Sequence, residues 1–472
     1  MDEGHDEPKI DCLLHKYLNA LWILTVIIIV SLYVGGIFTL LFEEDFTNYS
    51  REIEIDNFRR LIDALDRNGL TPVSDEDSNV RRFGMNAINQ VLSKMKPSNT
   101  NLNNVVPLDQ FESFDYTIDI EPSCGRQWGK IRGPNTVRNL ITINIAVKSA
   151  VSNYARRGAI RQTWYLNRTV DNLVQFKTVF MIGACDERNP VPKSSRIMSP
   201  DGTWSAELCR KSIHSEANQY GDIVQISAID NYYNNTIKTF MTLRWIVERC
   251  PSDFTLALDD DFVFEVDNFM EHIKRLISME GINLGTASDL NGSVTNKRNF
   301  QDIHSKQSEN FKPEPNQITR ETIDARLQLM ENFRALSSQY LYTGFMRNYV
   351  HPFRVLFSKW YVSRRDYAFN RYPPFITGGS VLMSFKTIKH FYLSSYFTRA
   401  FIYDDVYIGM LAYKLGFLPE SDEKFMCDIG AYIDADPIRP NSTDCIGVHD
   451  IKPDKLLELW KLRKQVQSGD PS

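Results

Sequence analysis

The chain has 472 residues, a formal net charge of −5 and a sequence pI near 6.0. That balance, without any basic tail, excludes the polybasic footprint of a nucleic-acid binder. The length accommodates one large α/β domain with connecting segments.

Residues 1–20 read as a short tail. From Leu21 to Phe42 there is no charged side chain, and a helix of that length spans roughly 33 Å, enough for a bilayer core of about 30 Å. No small-residue cleavage site follows, so the expectation is a retained signal-anchor. Basic residues flank it on both sides and leave its orientation open. The rest of the chain decides it. Sequons begin at Asn48, Asn167, Asn234, Asn291 and Asn441, and six of the seven cysteines lie beyond the anchor. Cys124, Cys185, Cys209, Cys250, Cys427 and Cys445 form an even set that suits an oxidising lumen, with the pairing left open.

Residues 43–135 are rich in Asn, Asp, Ser and Pro and read as a stem. Within them Phe58, Leu61, Ile62 and Leu65 recur at helical spacing. The expectation is a marginal helix on a solvated stalk; packing on the following domain, or pairing with a second copy of the chain, are the alternatives.

A large folded domain is expected over 136–465. Ile141, Ile143, Ile145 and Val147 alternate as in a strand. Further strands are predicted at Thr178–Ile182, Asp222–Ile226 and Asp253–Leu258, with helices near Ser205–Tyr220 and Thr236–Glu248 between them. That alternation predicts an α/β fold with a largely parallel central sheet, whose ligands bind beyond the carboxyl ends of the strands.

The last of these strands ends in Asp259, Asp260 and Asp261, followed at once by Phe-Val-Phe. Three adjacent carboxylates repel one another. Between two apolar runs they suit a hard divalent cation such as Mn²⁺ or Mg²⁺, with a solvated acidic turn as the plainer alternative. Asp404 and Asp405 stand before Val-Tyr-Ile-Gly, where an acid pair either complements a helix dipole or projects into the same cleft. A polar segment over about 289–340 reads as an insertion.

Several ordered blocks resemble the β-1,3-glycosyltransferases that carry the galactosyltransferase signature. They are Arg156-Arg-Gly-Ala-Ile-Arg-Gln-Thr-Trp164, Phe180-Met-Ile-Gly183, Glu216 with Tyr220-Gly-Asp-Ile-Val-Gln, and Asp230 to Thr239. The Asp triplet, Lys359-Trp-Tyr-Val-Ser363, Tyr372 to Gly379, Asp404 to Gly409 and Val448-His449 follow in order. The resemblance covers roughly 137–460. Ala257 departs from the family's usual Lys, Asn235 from a Leu, and Val381 from an aromatic.

The resemblance implies a GT-A-like fold that binds a UDP-sugar. It implies Asp261, Asp259 and His449 toward the metal, with Asp259 and Asp260 near the nucleotide. Asp405 is the expected base, with Asp404 as second choice. Arg157 and Arg161 are candidate donor-binding cations, against a structural salt bridge. Gly378 and Gly379 are candidates for close approach to the sugars, against a plain turn. The implied protein is a single-pass type II Golgi membrane enzyme that moves galactose, or alternatively an N-acetylhexosamine, to a glycoprotein or glycolipid glycan in β-1,3 linkage with inversion. A catalytically silent glycan-binding or chaperone-like member is the other class, and a homodimer through the stem is an expected partner arrangement.

Overall fold

The computed structural model describes residues 7–34, 55–67, 85–95, 105–120, 140–186, 205–279, 320–434 and 444–468. Helix α1 (Glu7–Val34) has described side chains only from 17 to 31, and all of them are exposed. Among the described residues no helix is long and apolar enough to cross a membrane. The expected span to Phe42 lies partly outside them.

Helices α2 (Ile55–Arg67) and α3 (Met85–Met95) precede strand β1 (Tyr116–Ile118). There follow β2 (Ile141–Lys148), α4 (Tyr154–Gln162), β3 (Thr169–Val170), β4 (Val174–Ala184), α5 (Ala206–Tyr220), β5 (Ile223–Ile229), α6 (Asn235–Glu248) and β6 (Phe254–Asp259). The later elements are β7 (Val263–Phe264), α7 (Val266–Met279), α8 (Arg320–Ser337), β8 (Tyr342–Arg347), β9 (Phe375–Ser384), α9 (Phe385–Ser395) and α10 (Asp404–Lys414). The chain then closes with β10 (Glu420–Ser421), α11 (Ile429–Asp434), β11 (Gly447–Val448) and α12 (Pro453–Ser468).

The main sheet runs β1-β5-β4-β2-β6-β9-β8-β10, with β3 paired to β4. From β5 to β6 the pairings are parallel. There the expected parallel sheet forms, because each strand is followed by an amphipathic helix that returns the chain to the same end. Beyond β6 the expectation fails. Strand β9 runs antiparallel to both β6 and β8, and β1 runs antiparallel to β5.

The chain winds outward from β2 through β4 to β5, then returns across β2 to lay down β6. The sheet therefore has a switch point between the carboxyl ends of β2 and β6, where Lys148 stands beside Asp259 in register. Ligands of such sheets bind in the crevice at that point.

Of the readings of the 58–65 helix, packing on the following domain is the one the structure shows. In α2, Phe58, Leu61, Ile62 and Leu65 are all buried against α9 and α10. His390 Nε2 lies 3.0 Å from Asp66, and Lys389 pairs with the same carboxylate. Burial pushes that carboxyl up, but His390 and Lys389 together hold it down at about 2. Since the apolar face is covered within the chain, it is not available for a homodimer. Phe111 stacks on Phe240 at 4.0 Å and β1 extends the sheet, so this part of the expected stem belongs to the domain as well. Phe58→Ala should cost about 3–5 kcal/mol, as for other buried Phe truncations. A denaturation midpoint close to wild type would show α2 to be peripheral.

The expected insertion is likewise partly structural. Residues up to 319 lie outside the described ones, but α8 buries Met330, Phe333 and Leu336, with Phe333 edge-on to Phe254 of β6. Two disulfides answer part of the open pairing, Cys185–Cys209 and Cys427–Cys445. Cys250 is disulfide-bonded too.

Candidate active site

The cleft at the switch point has a volume of about 220 Å³. Lys148 enters it from β2, Asp259 from β6, Gly378 and Gly379 from β9, and Asp404 and Asp405 from the first turn of α10. His449 enters from the residue after β11. Tyr232 and Trp360 form an aromatic rim, their rings 5.8 Å apart and edge-on.

Helix α10 can approach this closely because Gly409 faces β9. A Cβ there would sit 2.6 Å from Phe375 Cβ, well inside contact distance. The helix starts without a side-chain cap, so Asp404 and Asp405 lie against its free N–H groups, which favour negative charge. The two acids then part company. Lys148 Nζ sits 2.6 Å from Asp404 Oδ2, and Thr239 Oγ1 donates to the same oxygen at 2.8 Å. Burial opposes ionisation of Asp404, but these partners lower it below the ordinary carboxylate range. Asp405 lacks such a cation. Burial first, then the charge of Asp404, push it up to about 7. The pair thus holds one fixed negative charge and one carboxyl that titrates near neutrality, the arrangement that separates acid from base roles.

The Asp triplet divides three ways. Asp259 faces the cleft, 3.4 Å from Lys148, and burial with the surrounding carboxylates pushes it up to about 6. Lys148 is in turn held above an ordinary lysine: burial acts against its charge, and Asp259 and Asp404 override it. Asp260 turns inward. It accepts from Ser149 Oγ at 2.6 Å, Asn153 Nδ2 at 2.8 Å and Arg156 at 3.2 Å. The expected nucleotide contact from Asp260 is thereby replaced by a brace on the β2–α4 loop, which consumes both its oxygens. Asp261 meets Arg156 at 3.1 Å and His449 Nε2 at 3.8 Å. Its Oδ1 is buried with no hydrogen-bond partner.

His449 reaches Asp261 because β11 pairs antiparallel with β7, just after the triplet, with Val448 opposite Val263. Ile451 N–H donates to the Asp261 carbonyl at 3.2 Å, and Cys427 N–H to the Gly447 carbonyl at 2.8 Å. The Cys427–Cys445 bridge closes the same corner.

Arg157 and Arg161 are corrected to structural residues. Arg157 is fully buried and forms a two-pronged pair with Glu216, at 2.8 and 2.7 Å. It also donates to the Ser149 hydroxyl oxygen at 3.0 Å. Arg161 spans Glu216 and Asp222, both at 2.7 Å. With their guanidinium groups spent inside the fold, neither faces the cleft. The cations that do face the acids are Lys148 and Arg156, which sequence reasoning did not single out. Lys148 closes the alternating run of β2, and that position at the carboxyl end of a strand was the available signal.

The two glycines differ. A Cβ on Gly379 would fall 2.3 Å from the Phe262 ring, so this glycine admits the aromatic that backs the triplet. A Cβ on Gly378 would point into the cleft, 3.4 Å from Lys148 Nζ and 3.5 Å from Asp405 Cβ. Ala257 and Val381 prove to be cross-strand partners. Together they line a second cavity of about 50 Å³ that also touches Lys148, Asp404 and Asp405.

The galactosyltransferase family profile matches residues 202–314 and 323–423, a range that includes the triplet, both glycines and the Asp404-Asp405 pair. The chain is 27% identical over 321 residues to the Drosophila melanogaster beta-1,3-galactosyltransferase brn, covering 67% of this chain and 73% of the relative. It is 25% identical to human beta-1,3-galactosyltransferase 5 (69% and 79% covered) and 24% identical to human lactosylceramide 1,3-N-acetyl-beta-D-glucosaminyltransferase (64% and 66%). These matches support the β-1,3-glycosyltransferase family with the galactosyltransferase signature for this chain. The protein is a glycosyltransferase.

Proposed function

We propose that this glycosyltransferase moves galactose from UDP-galactose to a glycan acceptor in β-1,3 linkage, with inversion at the anomeric carbon, in a GT-A-like domain. The observation that carries the reading is the split pair in α10: Asp404 clamped and ionised, Asp405 titrating near 7 at the cleft. A carboxylate tuned to the working pH is what deprotonation of an acceptor hydroxyl needs. The acceptor oxygen bonds to the anomeric carbon as the bond from that carbon to the diphosphate oxygen breaks. The proton passes to Asp405, and UDP carries away the electron pair. Lys148 keeps Asp404 charged, and that charge in turn holds Asp405 basic.

The leaving diphosphate calls for positive charge. Among the described residues no three His, Cys, Asp or Glu side chains form a ready-made metal cage. The residues present nonetheless suit Mn²⁺ or Mg²⁺ completed by substrate oxygens, as Mg²⁺ sites commonly are. Asp261 offers a buried oxygen without a partner and His449 lies beside it. These two would hold the ion, with Asp259 toward its water shell or the ribose, and the ion would neutralise charge developing on the diphosphate. Asp261→Asn should keep the fold while metal-dependent UDP binding collapses, measured by calorimetry with and without Mn²⁺. Wild-type affinity in that variant would remove Asp261 from the site.

The galactosyl donor is supported by the names of the fly and human relatives, and the human N-acetylglucosaminyl relative supports an N-acetylhexosamine as the second reading. A panel of UDP-sugars scored for transfer separates them. The charge-free run from Leu21 and the disulfides support a type II, lumenal topology in the Golgi.

A further inference from the structure

Helix α4 carries Arg156, Arg157 and Arg161, and the structure uses the three guanidinium groups differently. Every nitrogen of Arg157 is engaged, on Glu216, Ser149 and the carbonyls of Ala150 and Val151. Every nitrogen of Arg161 is engaged too, on Glu216 and Asp222. Arg156 works through Nη1 alone, which lies 3.2 Å from Asp260 Oδ1 and 3.1 Å from Asp261 Oδ2. Among the described residues its Nε and Nη2 meet no acceptor. Its side chain is 30% exposed, against 0% for Arg157 and 8% for Arg161. The open edge of such a fork matches the oxygens of a phosphate group two at a time.

The carboxylate that Arg156 covers is the one proposed above for the divalent cation. Asp261 Oδ2 lies between Arg156 and His449 Nε2, and Oδ1 is buried without a partner. A guanidinium held there opposes a second positive charge on the same group, strongly so where solvent is partly excluded. Asp260 does not depend on Arg156 in the same way. Ser149 and Asn153 hold its Oδ2 at 2.6 and 2.8 Å whether or not Arg156 stays. The neighbouring Arg157 fixes the helix, so a change of partner at Arg156 needs only its own side chain to turn.

We infer that Arg156 is the resident counter-ion of Asp261 and passes its guanidinium to the diphosphate of the donor when donor and cation arrive, so that the two bind as a coupled pair. The inference rests on the reading of Asp261 as the metal-binding carboxylate. In the nucleotide-free protein Arg156 opposes the cation. The diphosphate offers Arg156 another anion and lifts that opposition. Reciprocity then requires the cation to raise the affinity for UDP by the same factor.

The test reads two affinities in the full-length chain: Mn²⁺ without nucleotide, from the electron-spin resonance of the free ion, and UDP at saturating Mn²⁺, by calorimetry. Arg156→Gln removes the opposing charge and the fork together. It should bind Mn²⁺ roughly tenfold more tightly than wild type and UDP roughly ten- to a hundredfold more weakly. Arg156→Lys keeps the charge and loses the fork. It should hold Mn²⁺ at the wild-type level and still lose UDP, and because it keeps a cation beside the two carboxylates it carries the test should the glutamine variant fail to fold. An Arg156 that only braces the triplet would, on removal, loosen both ligands or neither, and either result overturns the inference. So does tighter Mn²⁺ binding with UDP affinity unchanged. Mn²⁺-dependent UDP binding in the wild type that Arg156→Gln leaves intact overturns the role of Arg156 alone. UDP binding indifferent to Mn²⁺ in the wild type overturns the metal reading of Asp261 together with the inference.

Discussion

Asp405→Asn should lower transfer by roughly 10²- to 10⁴-fold, the range a positioned general base contributes, while UDP binding persists. Wild-type turnover should fall as pH drops through about 7, because Asp405 takes up its proton there. The amide variant should lose that limb from whatever activity it keeps. A carboxyl raised in the folded state binds its proton more tightly there than in the unfolded chain, so its penalty on the fold grows as pH rises above the ordinary value of 3.8 and is complete above about 7. Asp405→Asn should therefore melt at or above the wild-type temperature at pH 8. Retained turnover with an unshifted pH profile would assign the proton to another group.

Arg157→Met should act on the fold rather than on the chemistry. Glu216 is buried and loses its two-pronged partner, keeping only Arg161. Breaking a buried pair in this way costs about 3–5 kcal/mol. Adding Glu216→Leu should recover much of the loss, since an apolar pair removes the stranded charge. Glu216 is buried, which raises its carboxyl, but Arg157 and Arg161 bring it below the ordinary value of 4.5. Its contribution is thus present above that value and lost as pH falls through the lowered one. The readouts are the denaturant midpoint and UDP affinity at temperatures where each variant is folded. Unchanged stability with weakened UDP binding would return Arg157 to the donor site.

The parallel half of the sheet was legible because Ile141 to Val147 alternate and each later strand is separated from the next by a helix-length polar-apolar repeat. The triplet and the Asp404-Asp405 pair were legible because acids packed between apolar runs demand compensation. What was hidden lies in contacts between distant segments. The local composition of 43–135 is polar, and nothing near Phe58 announces that α9 and α10 complete its environment. Arg157 and Arg161 carry the same charge whether they face a phosphate or Glu216, so their roles depend on a helix some fifty residues away. Lys148 likewise becomes a site residue only when β6 lies down beside β2.

The pairing of β11 with β7 has a consequence for when the protein can first work. The strand that brings His449 to Asp261 lies near the end of the chain, and it is fixed there by backbone bonds and by a disulfide to Cys427. During synthesis the amino-terminal part emerges and folds first. Lys148, the triplet and even the Asp404-Asp405 pair can then gather while His449 has yet to leave the ribosome. The Asp261–His449 corner therefore assembles after them, and a polypeptide interrupted before β11 would hold the proposed base without the proposed diphosphate site.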